Sequence, residues 1–305
     1  MLLTLTANAL RSRISSPKGG GRGRGGGGAD GDKMAVTDLP RFARQELGLF
    51  GLNLSTSLLV GADLARLDAI REAADKASCP CLVLSESEVQ PFGTLRDEVG
   101  DAAVARVIKV VQAAHRLGCN SIGLSISGED SEEGVDFAIE RLRKVMATAE
   151  RLEVNILLSP APGMTADPDH LTDMIKKVGG FRIGTFPDFE TASKAKDPGQ
   201  YLRRLTPYAA AITAAMVRMK PGKKPGTFTH EPYDVSEYVK IIQAVGYTGT
   251  LALDYRGEGD AVEHLREGVQ LLTSLVAPAS ETTDVEDLTD DADEADPTPD
   301  EDADE

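Results

Sequence analysis

The stretch Asp234–Leu272, DVSEYVKIIQAVGYTGTLALDYRGEGDAVEHLREGVQLL, decides the fold. It opens on a helix entered through Asp234, with Glu237 three residues on, which is capping-box spacing with Asp in place of the usual Ser or Thr. Gly246 stops that helix. Thr250–Tyr255 is a short apolar strand, and Asp260 with Glu263 opens the next helix in the same form. Helix, strand, polar turn and helix follow one another with little between them, which is the rhythm of β-α repeats.

Working outward, the same unit recurs. The candidate strands are Leu2–Thr6, Gly51–Ser55, Cys81–Ser85, Ser121–Ser127, Val154–Ser159, Phe181–Phe186, Ala210–Val217 and Thr250–Tyr255. After the first, successive starts are spaced by the length of a strand plus a crossover helix. The helices between carry their own punctuation. Asp101 leads into Val104, Val107, Ile108 and Val111, and Gly118 closes that helix. Val135, Ile139, Leu142, Val145, Met146 and Leu152 form an apolar stripe at helical spacing. Asp167-Pro168 and Asp197-Pro198 read as an N-cap followed by proline at the first helical position, and Gly179 as a stop. Eight such units predict an α/β protein, a closed (β/α)8 TIM barrel in one domain. A doubly wound open sheet is the alternative, but no GxGxxG follows the first strand.

Two segments fall outside that pattern. Residues 16–33 contain GGGRGRGGGG (Gly19–Gly28), which cannot bury apolar area to offset its backbone entropy and reads as a disordered Gly/Arg-rich insert in the first βα loop. Residues 277–305 read as a disordered acidic tail, leaving residues 1–276 as the barrel. From Glu281 to Glu305 there are 14 acidic residues and no Lys or Arg. The net charge of −16 therefore sits mostly in the tail, and the rest of the chain carries 33 basic against 35 acidic residues. A broad basic face for duplex DNA is disfavoured.

No apolar run approaches the roughly 18–20 residues of a membrane helix. Met1–Thr6 has no basic n-region and too short an apolar run for a signal peptide, and a strand is the better reading. A product starting at Met34 would lack that strand, so Met1 is the expected start. Cys79, Cys81 and Cys119 are odd in number and too few for a disulfide framework, and they fit a reducing cytosol, so a cytoplasmic location is expected.

In a barrel the site forms at the C-terminal ends of the strands. The polar residues there are Asn8 and Arg11, Asn53 and Ser55, then Ser85, Glu86 and Glu88. Ser125 and Ser127, Ser159, and Asp188 with Glu190 follow. Arg218 and Lys220 end the seventh strand, where they could hold a phosphate or carboxylate. Asp254, Arg256 and Glu258 end the eighth.

The chain resembles the xylose isomerase-like TIM barrels, which include sugar-phosphate isomerases, epimerases and the related apurinic endonucleases. The likeness is clearest in Asp234–Leu272, with its helix, AxGYxGxLxxxY and Asp-entered helix. LPRFARQELGLFGLNL (Leu39–Leu54), Leu157–Leu171 and Gly180–Phe189 are similar to further units. The resemblance implies a divalent cation (Mn, Mg, Zn or Co) held by a Glu, an Asp, a His and a Glu on the fifth to eighth strands. It would polarise substrate oxygens while a carboxylate moves a proton between adjacent carbons. This sequence keeps Asp188, places Asp254 where Glu is expected, and has Ser159 and Thr213–Ala215 where the Glu and His should be. A weakened metal site would rest on Asp188, Asp254 and His230 from the following loop. Asp254, Asp188 and Glu86 are the catalytic candidates, and Asn8, Asn53, Ser159, Arg218 and Lys220 the candidates for binding a carbohydrate-like ligand. The expected function is a sugar or sugar-phosphate isomerase or epimerase. The alternative is a barrel that binds a sugar-like ligand, or serves as a scaffold, without turnover. An endonuclease is disfavoured because the chain has only four His. Neither a membrane partner nor a particular oligomer is implied.

Overall fold

The computed structural model describes residues 1–15 and 33–277. Its first strand, β1 (Leu2–Thr6), has a parallel neighbour on each side. Leu2–Leu5 run against Thr250–Leu253 of β8 (Thr250–Tyr255). Leu5 and Thr6 run against Leu52 and Asn53 of β2 (Leu52–Ser55). From there β3 (Cys81–Ser85), β4 (Ser121–Leu124), β5 (Asn155–Leu158) and β6 (Ile183–Thr185) follow in sequence order, all parallel. On the other side β8 pairs with β7 (Ala211–Met216) along its whole length. The seam between β6 and β7 is made by the bridges Thr185 to Ala209 and Asp188 to Thr213, and the Thr213 N–H donates to Pro187 O at 2.9 Å. The sheet thus closes, and the fold is the expected (β/α)8 barrel.

The outer layer follows from the capping chemistry. α1 (Leu39–Glu46) and α2 (Leu64–Lys76) are followed by the long α3 (Asp97–Leu117) and α4 (Glu132–Arg151). α5 (Pro168–Val178), the short α6 (Phe189–Ser193) and α7 (Pro198–Leu205) lead to α8 (Val235–Ala244) and α9 (Ala261–Val276). The side chains of Asp167, Asp197, Asp234 and Asp260 each accept a backbone N–H of the first turn, as their positions before α5, α7, α8 and α9 predict. Val107, Val111 and Ala114 of α3, and Leu142, Val145 and Ala149 of α4, are buried.

Three details differ from the sequence reading. α3 starts at Asp97, so Asp101 lies inside it, with Asp97 and Glu98 supplying the first-turn acids. The fourth apolar run splits after Leu124, and Ile126–Gly128 leaves the barrel to pair with Gln90–Gly93. Phe181 is fully exposed rather than in a strand, because Gly179 and Gly180, both at positive φ, turn the chain just before it. The insert and the tail lie almost wholly outside the described residues. The flanks of the insert are pinned together, Ser15 N–H to Met34 O and Met34 N–H to Arg13 O.

Inside the barrel, space is allotted closely. A Cβ on Gly123 would lie 2.7 Å from Ser85 Oγ and 3.0 Å from the Phe186 ring, so only glycine lets Phe186 lie over β4. The three thiols are buried, and burial pushes Cys79 up to about 11 and Cys81 up to about 12, which makes them packing groups rather than nucleophiles. Among the described residues no helix is long and apolar enough to cross a membrane.

Candidate functional site

A cavity of about 280 Å³ opens at the C-terminal ends of the strands. Its two halves differ in chemistry. β1 to β5 and their exits supply neutral groups: Thr6, Asn8, Asn53, Ser55, Ser85, Ser125 and Ser159. The exits of β6 and β8 supply charge in Asp188, Asp254 and Arg256, with Thr191 and Thr213 between them. Leu54, Pro160 and Phe186 give it apolar patches.

The neutral half holds unmet hydrogen-bonding capacity. Asn53 is only 2% exposed, and neither its Oδ1 nor its Nδ2 has a partner. Thr6 Oγ1 and Thr4 Oγ1 are buried and unpartnered as well. Such groups cost on the order of 1–3 kcal/mol each when nothing meets them, and an arrangement of this kind marks a place where polar atoms of a ligand are expected.

The charged half meets most of its hydrogen-bonding capacity internally. Asp254 is on β8 and Arg256 is the residue just past its end, two positions on, so the extended backbone turns both side chains the same way. Arg256 Nε donates to Asp254 Oδ2 at 2.8 Å. Its Nη2 donates to Asp188 Oδ2 at 2.6 Å, and its Nη1 to Asp188 Oδ1 at 3.2 Å and Glu190 Oε2 at 2.9 Å. Asp188 also caps α6, accepting the Thr191 N–H at 2.9 Å, and Lys194 Nζ donates to Glu190 at 2.8 Å. Burial pushes the Asp254 carboxyl up, against the pull of Arg256. The hydrogen bonds from Lys194 and then Arg256 hold Glu190 low. Burial disfavours the Arg256 charge, but Asp188 and Asp254 outweigh it, and the guanidinium stays protonated.

These residues do not fit a resident divalent cation. Such an ion needs several oxygen or imidazole donors converging on one point. Here both Asp188 oxygens and one each from Glu190 and Asp254 converge on a guanidinium instead. Among the described residues no group of three or more His, Cys, Asp or Glu is arranged to hold a metal.

The structure therefore brings Asn8, Asn53, Ser159, Asp188 and Asp254 together, and leaves four other candidates outside. His230 is buried beside β7, where the Val217 N–H donates to Nε2 at 2.7 Å and Nδ1 meets Tyr233 O at 2.9 Å. Since the carbonyl can only accept, Nδ1 carries the proton, and both nitrogens are committed to the backbone. Glu86 accepts Thr56 Oγ1 and the Glu88 N–H on one oxygen and Arg106 Nε on the other, away from the cavity wall. Arg218 and Lys220 sit on a rim ribbon, Arg218–Pro221 against Phe228–Glu231, and both pair with Glu231. An anion site there would compete with that carboxylate. Sequence reasoning placed Arg256 at the strand end but missed its role. The signal was the Asp254-x-Arg256 alternation, which puts an arginine beside the strand-end carboxylate.

The family model of xylose isomerase-like TIM barrels matches residues 45–275, and the chain belongs to that family. No curated protein matches it. Among solved structures, L-ribulose 3-epimerase is similar with a TM-score of 0.68 at 12% identity, over 92% of this chain and 100% of that one. The D-psicose 3-epimerase of Clostridium cellulolyticum H10, solved with D-tagatose, has a TM-score of 0.63 at 13% identity, over 87% and 89%. A xylose isomerase-like TIM barrel protein from Mycobacterium smegmatis in complex with magnesium has 0.61 at 16%, over 91% and 97%. At these identities the likeness is one of fold.

Proposed function

We propose that the barrel mouth binds a small polyhydroxylated, sugar-like ligand through neutral hydrogen-bonding groups, without a divalent cation. The observation that carries this is Asn53, whose carboxamide is buried in the cavity wall with a donor end and an acceptor end both unpartnered. A vicinal diol presents the complementary acceptor and donor. Asn8, Ser159 and the hydroxyls of Ser55, Ser85 and Ser125 extend the same chemistry around the wall. The named epimerases of similar fold support a ligand of this class. A thermal-shift panel of free sugars, sugar alcohols and sugar phosphates tests the reading. At least one should raise the Tm of the wild-type chain, by the linkage that stabilises any liganded fold. Asn53→Ala should abolish that shift while still melting cooperatively. A panel with no shift, or an unchanged shift in Asn53→Ala, contradicts it.

Asp254 favours a second reading, in which the bound sugar is isomerised or epimerised. Its carboxyl lies buried in the cavity wall at the end of β8, where burial raises its proton affinity and a carboxylate could take a proton from a bound sugar. Incubating the protein with ketoses in D2O should then place deuterium at a carbon next to the carbonyl, and Asp254→Asn should stop it. Binding without exchange leaves the first reading alone.

A further inference from the structure

We propose that the basic cleft between α2 and α3 is the docking site of the acidic stretch Glu281–Glu305, which follows α9 in the same chain. The cleft lies in the outer layer of helices, away from the mouth, so the inference does not depend on the ligand proposed there.

The cleft has a volume of about 860 Å³. Leu67 and Leu152 give it an apolar base, and Leu64 stands in its wall, 62% exposed. Arg71, Lys109, Arg116 and Arg151 line it against one acid, Asp68. Arg116 Nη2 donates to Asp68 at 2.6 Å, so that acid is already answered. Arg71, Lys109 and Arg151 are exposed, and among the described residues they make no ion pair. The chain as a whole carries a net charge of −16, so three uncompensated cations in one cleft are a local reversal of sign. Such a surface draws an acidic partner.

The stretch after α9 matches in composition and in reach. It has 14 acidic residues and no Lys or Arg. Val285 and Leu288, in DVEDLTD (Asp284–Asp290), are its only large apolar residues, so acids flank two groups that complement the Leu67 and Leu152 base. α2, α3, α4 and α9 each run back from a parallel strand, so α9 ends at the same end of the barrel as Arg116 and Arg151. Going round the outer layer from α9, α1 comes first, tied by Arg266 Nη2 to Glu46 at 3.1 Å, and α2 next. With neighbouring helix axes about 8–10 Å apart, the cleft is roughly 25 Å from the end of α9. The eleven residues Pro278–Leu288 span up to about 36 Å. The tether keeps the local concentration of the acids high, so surface pairs that are weak singly act together.

The test is paramagnetic broadening of amide signals in the isotopically labelled full chain. The three native thiols are buried, so a nitroxide goes to an introduced one. Gln112→Cys places it in the cleft, and Gln200→Cys places it on α7, which packs against α5 and α8 instead. The Asp284–Asp290 amides should lose about half their intensity or more with the first label and little with the second, as a tethered and mostly docked segment would. The loss should disappear in Arg71→Glu/Arg151→Glu. It should also disappear in about 1 M NaCl, where the screening length is about 3 Å. Arg71→Gln/Arg151→Gln replaces the charge reversal if that variant does not fold. Equal broadening by both labels overturns the proposal, as does broadening from Gln112→Cys that survives the loss of both arginines. Mixing nitroxide-bearing chains without isotope and isotope-labelled chains without nitroxide should give no broadening. If it gives as much as the single chain does, the stretch of a second copy occupies the cleft and the proposal is likewise overturned.

Discussion

At the residue scale, Asn53 and Arg256 line one cavity and are opposite cases. Asn53 is buried with everything unspent, and Arg256 is nearly spent on its own carboxylates. The difference decides what each does. Asn53 is available to a ligand, while Arg256 sets the geometry of the charged wall. Arg256→Lys should therefore not be conservative, because an ammonium is a point charge that cannot span three carboxylates. We expect it to lower stability by about 1–3 kcal/mol, read from the urea midpoint. An unchanged midpoint would mean that the fork geometry contributes nothing. Asp188 and Asp254 were legible in the sequence because each ends an apolar run. The use made of Arg256 was not, since it depends on the exits of β6 and β8 meeting across β7, a tertiary fact 68 residues apart in sequence.

At the element scale, the rim ribbon after β7 is held to the barrel by His230 and Tyr233. The Tyr233 hydroxyl donates to Ala215 O at 2.5 Å, and the His230 ring joins Val217 to Tyr233. Burial lowers the His230 pKa, against the Tyr233 carbonyl and the charges of Glu231 and Asp234, which raise it. A proton on Nε2 would break the bond from Val217 N–H. The sign follows: with the folded pKa below the unfolded one, the unfolded chain takes the proton first. The stability that His230 contributes is complete above about pH 6.5 and is lost as the pH falls from there. His230→Gln, which does not titrate, should show a flatter dependence of Tm on pH between 7 and 5 than the wild type. Equal slopes would contradict the account. The ribbon was missed in the sequence because the Pro-Gly pairs at 221–222 and 225–226 read as loop, and a two-stranded rim ribbon has no apolar face to give period-2 alternation. His230 looked like a possible ligand for the same reason, since nothing local shows that two backbone groups will claim its ring.

At the scale of the whole molecule, the barrel was legible because its signal repeats. Each strand start is punctuated by turn residues, and an error of a residue or two at one boundary, as at Phe181 or Asp101, does not disturb the count. What the repeat could not show is the filling of the interior, where Gly123 makes room for Phe186 and Ser85 under the cavity. Gly123→Val should cost about 1–3 kcal/mol through overpacking and should also remove ligand binding by displacing Phe186. A stable variant that still binds would show that the interior yields more easily than its contacts indicate. The central claim is the proposed one, that this member of the xylose isomerase-like family binds a sugar-like ligand at the barrel mouth through neutral groups and without a divalent cation. The most direct measurement is titration calorimetry of the sugar that gives the largest thermal shift, once in EDTA and once in saturating Mn2+. The account predicts the same Kd and the same stoichiometry in both. Binding that appears only with Mn2+, or tightens strongly with it, would contradict it.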